Sequence, residues 1–255
     1  MNKPLPSMLA CLLTPVYLLY FGLLLVLFHP VQVLCRRLGG YGAHKKSVDI
    51  LNYLIIRGLL ILGTDISFRG AGRVPRGRPL IVVANHQSLF DIPPLLWGFR
   101  AHHPKFIAKI ELGKGIPSVS YNLRHGGSAL IDRTKPLQSV REIAKLGRSI
   151  EENRHAVVIF PEGTRTRDGN LQPFLPAGID ALLKAAPSAV VVPVAIDGTY
   201  ELTKRGLYPM AFGARVRFTV LAPIEPGALG AEEVVRRAEA AIRAALGRPF
   251  TSAVP

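Results

Sequence analysis

An uncharged apolar stretch near the amino terminus constrains the fold most, because few environments accept such a segment. No Asp, Glu, Lys or Arg occurs between Met8 and Cys35. A helix needs roughly 20 apolar residues to cross the hydrocarbon core of a bilayer, so this stretch is long enough. A cleaved leader fits less well, because the stretch is long and no small-residue cleavage site follows it. Pro15 and Pro30 leave open a kinked or partly inserted helix.

Basic residues follow this stretch more than they precede it. Lys3 comes before it, whereas Arg36, Arg37, Lys45 and Lys46 come after it. If the stretch spans, this bias predicts that the rest of the chain lies on the cytoplasmic side of the inner membrane. Whether the stretch spans or lies in the interface stays open.

A second apolar run, Val48 to Leu62, contains Asp49 and Arg57. This run is consistent with a helix in the interface or against the first helix, and equally with a buried helix of the main domain. We therefore expect residues 1–63 to form membrane-associated helices and residues 64–255 to form a domain of the α/β class, for the reasons that follow.

Strands and helices are predicted to alternate from Ile66 onward. The short runs rich in Val, Ile, Leu and Phe that predict strands are Leu80–Ala84, Lys105–Ala108, Ala129–Ile131, Ala156–Phe160, Ala189–Ile196 and Arg215–Leu221. Helical spacing of apolar residues occurs in Leu137–Ile150, Ile179–Ala185 and Glu232–Leu246. This alternation predicts an α/β fold with a mixed, mostly parallel central sheet covered by helices.

The charge balance indicates an anionic partner. The 255 residues carry a net charge of +15, and 49% of them are hydrophobic. An anionic membrane surface, a phosphorylated substrate or a nucleic acid would each suit such a charge. We expect no nucleic acid partner, because no nucleic-acid-binding module is recognisable and the aromatic residues lie mostly in apolar runs. Cys11 and Cys35 both lie in the apolar stretch, so neither is a plausible nucleophile or metal ligand.

The sequence NHQSLFD, residues 85–91, directly follows a predicted buried strand. A neutral histidine can accept a proton from a hydroxyl near pH 7 when its tautomer and orientation are fixed. Asp91 can fix both for His86 by accepting a hydrogen bond from the other ring nitrogen. An alternative is structural, because Asp91 before Ile92-Pro93 is also a typical helix cap, and the two roles are compatible.

The sequence FPEGTRTRDG, residues 160–169, follows another predicted strand. Gly163 permits close approach of an anion to the backbone, Thr164 offers a hydroxyl, and Arg165 offers a planar fork for phosphate oxygens. An ordinary polar loop closed by an Asp-Gly turn is the alternative. Lys105 begins one strand and Arg133 follows another, so both could direct charge at the same phosphate. Lys109 and Lys114 are expected to be ordinary surface lysines.

Together these motifs resemble the four sequence blocks of the glycerolipid acyltransferases, specifically the bacterial 1-acylglycerol-3-phosphate acyltransferases. The blocks are NHQSLFD, KFIAKIEL with GGSALIDR, FPEGTRT, and VVPVAIDG, in that order. The resemblance implies direct acyl transfer from acyl-CoA or acyl-carrier protein to the hydroxyl of a lysophosphatidate. It implies His86 as general base and Asp91 as its orienting carboxylate. It implies no cofactor and no metal.

The resemblance also implies that Gly163 and Arg165 hold the acceptor's phosphate, with Lys105 and Arg133 as further contacts. Glu162 belongs to the same block as Arg165, shaping the loop or pairing with an arginine. One departure concerns the acceptor, because the family often has a Phe-Lys pair where this chain has Phe174-Leu175. A different lysophospholipid or a lyso-aminolipid therefore remains an alternative acceptor. A non-catalytic protein that binds anionic lipid is the alternative from another class.

Overall fold

Seven strands form one sheet in the computed structural model, which describes residues 7–247. They are β1 (Asp65–Arg69), β2 (Leu80–Ala84), β3 (Lys105–Lys109), β4 (Ala129–Ile131), β5 (Ala156–Ile159), β6 (Val190–Asp197) and β7 (Arg215–Val220). Their order across the sheet is β1-β7-β6-β2-β5-β3-β4. Neighbouring strands run parallel except β6 and β7, which are antiparallel. The predicted mixed, mostly parallel sheet is confirmed.

Helices cover both faces of this sheet. They are α1 (Met8–Gly58), α2 (Ile92–Gly98), α3 (Val119–His125), α4 (Pro136–Asn153), α5 (Ala177–Ala185), α6 (Thr199–Thr203) and α7 (Ala231–Ala245). The alternation of side chains along β2 divides the core in two. Ile81 and Val83 pack with apolar residues of α4, α5 and α7. Leu80, Val82 and Ala84 pack with those of α2.

The long apolar helix α1 is a hairpin of two antiparallel arms. Gly40 interrupts the helix with a φ of 65° and a ψ of −154°, a backbone region that essentially only glycine occupies. The turn there brings Leu24 and Leu25 of the first arm against Leu51 and Ile55 of the second. The chain reverses at this glycine, and the helix continues through Pro15 and Pro30.

The second arm of α1 therefore packs on the first arm, which was one of the two expectations for residues 48–62. The hydroxyl of Tyr20 donates to the carbonyl of Leu54 at 2.9 Å. Gly58 lies so close that a Cβ on it would sit 2.2 Å from the Tyr20 ring. The boundary between residues 1–63 and 64–255 stays a prediction, because α1 packs closely against α2 and α3 of the α/β part.

The outward face of α1 remains apolar. In its first arm the exposed large apolar residues recur mostly every three or four positions; they are Met8, Leu9, Leu12, Val16, Leu19, Leu23, Val26, Leu27, Val31, Leu34 and Leu38. The segment Met8–Leu62 is long and apolar enough to cross a membrane, judged by length and composition. Because the segment folds back on itself, its apolar stripe lies along one side of the molecule.

Candidate active site

Three loops meet where β2, β5 and β6 end. These strands are parallel neighbours, so their carboxyl ends reach the same edge of the sheet. The loop after β2 carries residues 85–91, the loop after β5 carries residues 160–169, and Gly198 and Thr199 follow β6. The NHQSLFD and FPEGTR motifs, far apart in sequence, are therefore neighbours in space.

His86 and Asp91 form a hydrogen bond at this edge. Nδ1 of His86 lies 2.7 Å from Oδ2 of Asp91. The same Oδ2 accepts the backbone N–H groups of Gln87 at 2.7 Å and Ser88 at 2.9 Å. A carboxylate oxygen that faces three donors accepts from all of them, so Nδ1 carries the proton. The neutral ring then has its lone pair on Nε2.

The Asp91 carboxylate is completely buried, whereas the His86 side chain is 17% exposed. The remaining oxygen of Asp91, Oδ1, accepts a short hydrogen bond from the hydroxyl of Thr199. Sequence reasoning missed Thr199. Its only signal is that it follows the VVPVAIDG block at the same sheet edge. The arrangement leaves His86 as the group of this pair that a substrate can reach.

The cap interpretation of Asp91 is also partly right. Ser88 and Asp91 form a capping box around the 3-10 turn Leu89–Asp91, in which the Ser88 hydroxyl accepts the N–H of Phe90 at 3.1 Å. Asp91 precedes α2 but its side chain makes no cap hydrogen bond to that helix. Its carboxylate therefore orders the loop and orients His86 at once.

Three further contacts fix the position of His86. Its ring stacks on Phe160, with centroids 4.0 Å apart and planes 15° apart. Its carbonyl accepts the N–H of Thr166 at 2.9 Å. Its own N–H donates to Oε1 of Glu162 at 2.6 Å. The loop after β5 thus holds the histidine from both sides.

Glu162 links two loops through its two carboxylate oxygens. While Oε1 binds the N–H of His86, Oε2 accepts the N–H of Gln172 at 2.8 Å. Burial raises the pKa of Glu162 to about 7, although the two backbone N–H groups act in the opposite direction. Of the two roles considered for Glu162, the geometry favours shaping the loop.

Asn85 joins the ends of β2 and β6. Its side-chain Nδ2 donates to the carbonyl of Ile196 and its Oδ1 accepts the N–H of the same residue, both at 2.8 Å. The amide thus extends the pairing of the two strands by one step beyond Ala84 and Val194. This contact positions the residue before His86 relative to the residues before Thr199.

A polar cavity of about 320 Å³ adjoins the NHQSLFD loop. Its walls contain Gln87, Ser88, Thr164, Arg165, Thr166, Arg167, Tyr200, Thr203 and Lys204. Arg165 and Thr164 are exposed here, as an anion-binding role requires. Gly163 has a φ of 70°, so the turn that presents them needs a residue free of a side chain. The structure thus brings the FPEGTR motif beside NHQSLFD.

The structure corrects the placement of Lys105. Lys105 pairs with Val157 at the beginning of β3, on the edge of the sheet opposite His86. It is buried, and its ammonium donates to the hydroxyl of Tyr41 at 2.6 Å and to the carbonyl of Gly126 at 2.7 Å. Lys105 therefore does not reach a phosphate held by Arg165.

Lys109 lies at the carboxyl edge of the sheet, which is the edge where His86 lies. It ends β3 and pairs with Ile131, the last residue of β4, so it stands at the carboxyl edge and is exposed. Arg133 follows two residues after Ile131 and is also exposed, with Glu111 nearby. The exposure of Lys109 agrees with the surface interpretation, and its position at the end of a parallel strand also places it on the same edge of the sheet as His86.

Leu175, where the family often has lysine, is 60% exposed. A Cβ on Gly163 would lie 3.8 Å from Cδ1 of Leu175, so the leucine borders the turn at Gly163. This chain therefore places an apolar side chain beside the Gly163 turn, where a lysine at position 175 would place a positive charge.

The acyltransferase family model matches residues 65–197, just over half of the chain, and this range contains the motifs described above except Gly198, the last residue of VVPVAIDG. A 1-acyl-sn-glycerol-3-phosphate acyltransferase of Limnanthes douglasii is 27% identical over 188 residues, which cover 74% of this chain and 62% of that protein. The protein of the same name from Helicobacter pylori is 34% identical over 173 residues, which cover 64% of this chain and 66% of that protein. The matches thus span just under two thirds of these relatives.

The fold has a close counterpart in a crystal structure. The 1-acyl-sn-glycerophosphate (LPA) acyltransferase PlsC from Thermotoga maritima superposes with a TM-score of 0.76 at 28% sequence identity. The superposition covers 94% of this chain and 97% of that one, so it includes the helical hairpin as well as the sheet. The family match and this shared architecture agree, and the chain belongs to the acyltransferase family.

Proposed function

We propose that this protein transfers an acyl chain from a thioester donor to the free hydroxyl of 1-acylglycerol-3-phosphate, giving phosphatidic acid. The hydrogen bond between His86 Nδ1 and Asp91 carries this proposal, because it leaves a basic nitrogen on a partly exposed ring. The names of the similar proteins support the choice of acceptor.

Nε2 of His86 removes the proton of the acceptor hydroxyl as its oxygen attacks the thioester carbonyl. The buried Asp91 carboxylate stabilises the imidazolium that forms. When the tetrahedral intermediate collapses, the thiol leaves with the proton from His86. No acyl-enzyme is needed, which agrees with the position of Cys11 and Cys35 in α1.

The acceptor's phosphate is held at the same edge of the sheet by Arg165 and the backbone around Gly163. Thr164 contributes a hydroxyl, and Lys109 and Arg133 supply charge from the neighbouring strands, in the role first assigned to Lys105 and Arg133. An arginine fork binds two phosphate oxygens at once, so Arg165 fixes the distance between phosphate and hydroxyl. This contact places the acceptor's hydroxyl against Nε2 of His86.

The α1 hairpin associates with the membrane through its exposed apolar stripe. The stripe runs along one side of the first arm, so the hairpin lies along the interface with the lipid acceptor beside it. The net charge of +15 suits the anionic cytoplasmic leaflet of the inner membrane, where we place the active domain.

An acyl-transfer assay with purified protein tests the proposal. Lysophosphatidate is offered with acyl-CoA and, separately, with acyl-carrier protein, and the His86→Ala variant is the control. We expect phosphatidic acid with at least one donor and no measurable product from the variant at equal folding and vesicle binding. Wild-type turnover by His86→Ala would refute the mechanism.

Leu175 favours a second candidate acceptor, because its apolar side chain replaces a cation beside the phosphate turn. A panel of lysophospholipids and a lyso-aminolipid, with products separated by thin-layer chromatography, ranks the acceptors. Higher turnover with an acceptor other than lysophosphatidate would reassign the substrate and keep the reaction. Vesicle binding without any thioester-dependent product would instead indicate a non-catalytic lipid-binding protein.

A further inference from the structure

A second concavity lies at the opposite edge of the sheet from His86. It has a volume of about 470 Å³, and its polar walls are Arg76, His102, His103, Asn153, Arg154 and His155. These residues precede β2, β3 and β5, and the N–H of Leu80 donates to the carbonyl of His155 at 3.0 Å. We call this concavity the amino-edge pocket, since it adjoins the first residues of three parallel strands.

The amino-edge pocket is lined by cations and imidazoles. Among the residues that the structure describes, none of those lining it is acidic. The guanidinium of Arg76 acts on His102, where it adds to burial in lowering the histidine's pKa. Unbalanced positive charge of this kind attracts an anion, and arginine forks suit phosphate oxygens.

A stack of aromatic rings forms the inner side of this pocket. His103 and His155 stack with centroids 4.7 Å apart and planes 6° apart, and Tyr41 stacks at 21° to both. The Tyr41 oxygen accepts from the ammonium of Lys105 at 2.6 Å and lies 2.9 Å from His103 Nδ1, so it can donate its own proton to that nitrogen. In that arrangement His103 carries its proton on Nε2, as a hydrogen-bond donor.

The buried ammonium of Lys105 places a positive charge behind this stack of rings. The acceptors that the described part of the chain offers its ammonium, the Tyr41 hydroxyl and the Gly126 carbonyl, are both uncharged. The nearby carboxylate of Asp49 is already bonded to Lys45. Burial lowers the pKa of Lys105 to about 8. An anion in the adjoining pocket would offset the cost of burying this charge.

The backbone at the amino-edge pocket is strained at two points. His103 and Arg154 have φ values of 49° and 53°. In the described part of the chain only one other non-glycine residue, Ser118, has a positive φ. Such conformations cost free energy and are concentrated at binding sites.

We propose that the amino-edge pocket binds a phosphate group, distinct from the one held at the active site. Arg76 and Arg154 engage its oxygens, and His102 and the Nε2–H of His103 donate to it. The phosphate comes either from an anionic lipid headgroup or from free phosphate. The pocket lies against Tyr41, directly after the turn of the hairpin at Gly40, so a bound phosphate would also hold that turn against the sheet.

The test compares two variants of the full chain that each carry two substitutions besides Arg165→Gln, which weakens phosphate binding at the active site equally in both. Arg76→Gln with Arg154→Asn removes both pocket arginines, and asparagine tolerates the positive φ at that position. Arg141→Gln with Arg148→Gln removes the same charge from the exposed face of α4. Inorganic phosphate is titrated by calorimetry, and flotation measures binding to phosphatidylcholine vesicles with and without phosphatidylglycerol.

The pocket variant is expected to bind at least one probe about tenfold more weakly than the α4 variant, since two charge-assisted contacts are lost. A loss confined to inorganic phosphate identifies free phosphate as the ligand. A loss confined to vesicles with phosphatidylglycerol identifies the lipid headgroup. Equal binding of both probes by the two variants, with unchanged thermal unfolding, would overturn the proposal. None of these readouts depends on acyl transfer.

Discussion

The substitution Asp91→Asn tests how the proposed base is held. Oδ2 of Asp91 accepts three N–H donors, from the His86 ring and from the backbones of Gln87 and Ser88. An NH₂ group at that position would face all three donors. We therefore expect the amide oxygen of the variant to take the Oδ2 position and its NH₂ to take the Oδ1 position.

Thr199 makes this orientation possible. Its hydroxyl donates to Oδ1 of Asp91, and Oε1 of Gln87 lies 3.1 Å from the same hydroxyl. In the variant the hydroxyl can turn its proton to Gln87 and accept a hydrogen bond from the new NH₂ group. Every donor then keeps an acceptor, and His86 keeps its proton on Nδ1.

Asp91→Asn therefore removes the negative charge beside His86 but keeps the hydrogen bonds that orient the ring. A hydrogen bond to a charged group contributes about 1.5–3 kcal/mol, so the imidazolium is destabilised by an amount of that order. Turnover should fall roughly 10- to 150-fold. If the amide instead turned its NH₂ group to His86, the ring proton would move to Nε2 and the base would be lost. In serine proteases the corresponding substitution lowers kcat about 10⁴-fold.

The assay measures kcat for phosphatidic acid formation across pH, with thermal unfolding as the control for folding. Thr199→Val is the matched variant, because it keeps the side-chain shape and removes the hydroxyl. Alone it should lower turnover by only a few fold, since Asp91 keeps three of its hydrogen bonds. Combined with Asp91→Asn it should lower turnover by more than the product of the single effects. Unchanged turnover of Asp91→Asn would refute the His-Asp pair, and a 10⁴-fold loss would refute the orientation of the amide.

Three other predictions follow from the loops and the hairpin. The free energy of unfolding should fall as pH rises from about 4.5 to about 7, because the pKa of Glu162 is raised in the folded protein. Glu162→Gln should abolish this pH dependence in thermal unfolding. The variant should also lose about 1–3 kcal/mol of stability, because its NH₂ group faces one of the two backbone N–H donors that the carboxylate accepted. A slope that persists in the variant would contradict this assignment. Gly40→Ala should cost about 1–3 kcal/mol through backbone strain, whereas Gly42→Ala, in regular helix with open space around it, should not; equal unfolding temperatures would refute the strain. Leu175→Lys should lower the KM for lysophosphatidate roughly two- to fivefold at low salt, unlike the exposed control Leu137→Lys, and an unchanged KM would separate this position from the phosphate.

Burial decides which strands could be predicted from the sequence. The bounds of β2 are the predicted ones, because a strand covered on both faces is a continuous apolar run bounded by polar residues. β1 was missed, since it is an edge strand that begins and ends in the exposed residues Asp65 and Arg69 and is only half buried between them. The position of the reversal at Gly40 was not predicted, because the sequence does not reveal the φ of a glycine.

Local spacing revealed the pair His86 and Asp91, since both belong to one short loop. The contacts that hold this pair come from elsewhere in the chain. Thr199 lies 108 positions from Asp91, and no periodicity indicates which strand is the neighbour of β2. The error at Lys105 has a different cause. The strand was identified, but its first residue was assigned to the edge where its last residue, Lys109, stands.

The double hydrogen bond between Asn85 and Ile196 has a consequence for folding. It joins residues 111 positions apart and depends on the register of β2 against β6. Closing so long a loop is slow compared with forming either local turn. The NHQSLFD loop can therefore fold locally and still lack the hydroxyl of Thr199 until the two strands align. During refolding, recovery of turnover would lag behind the return of helical circular dichroism, and the lag would report the time at which the centre of the sheet closes.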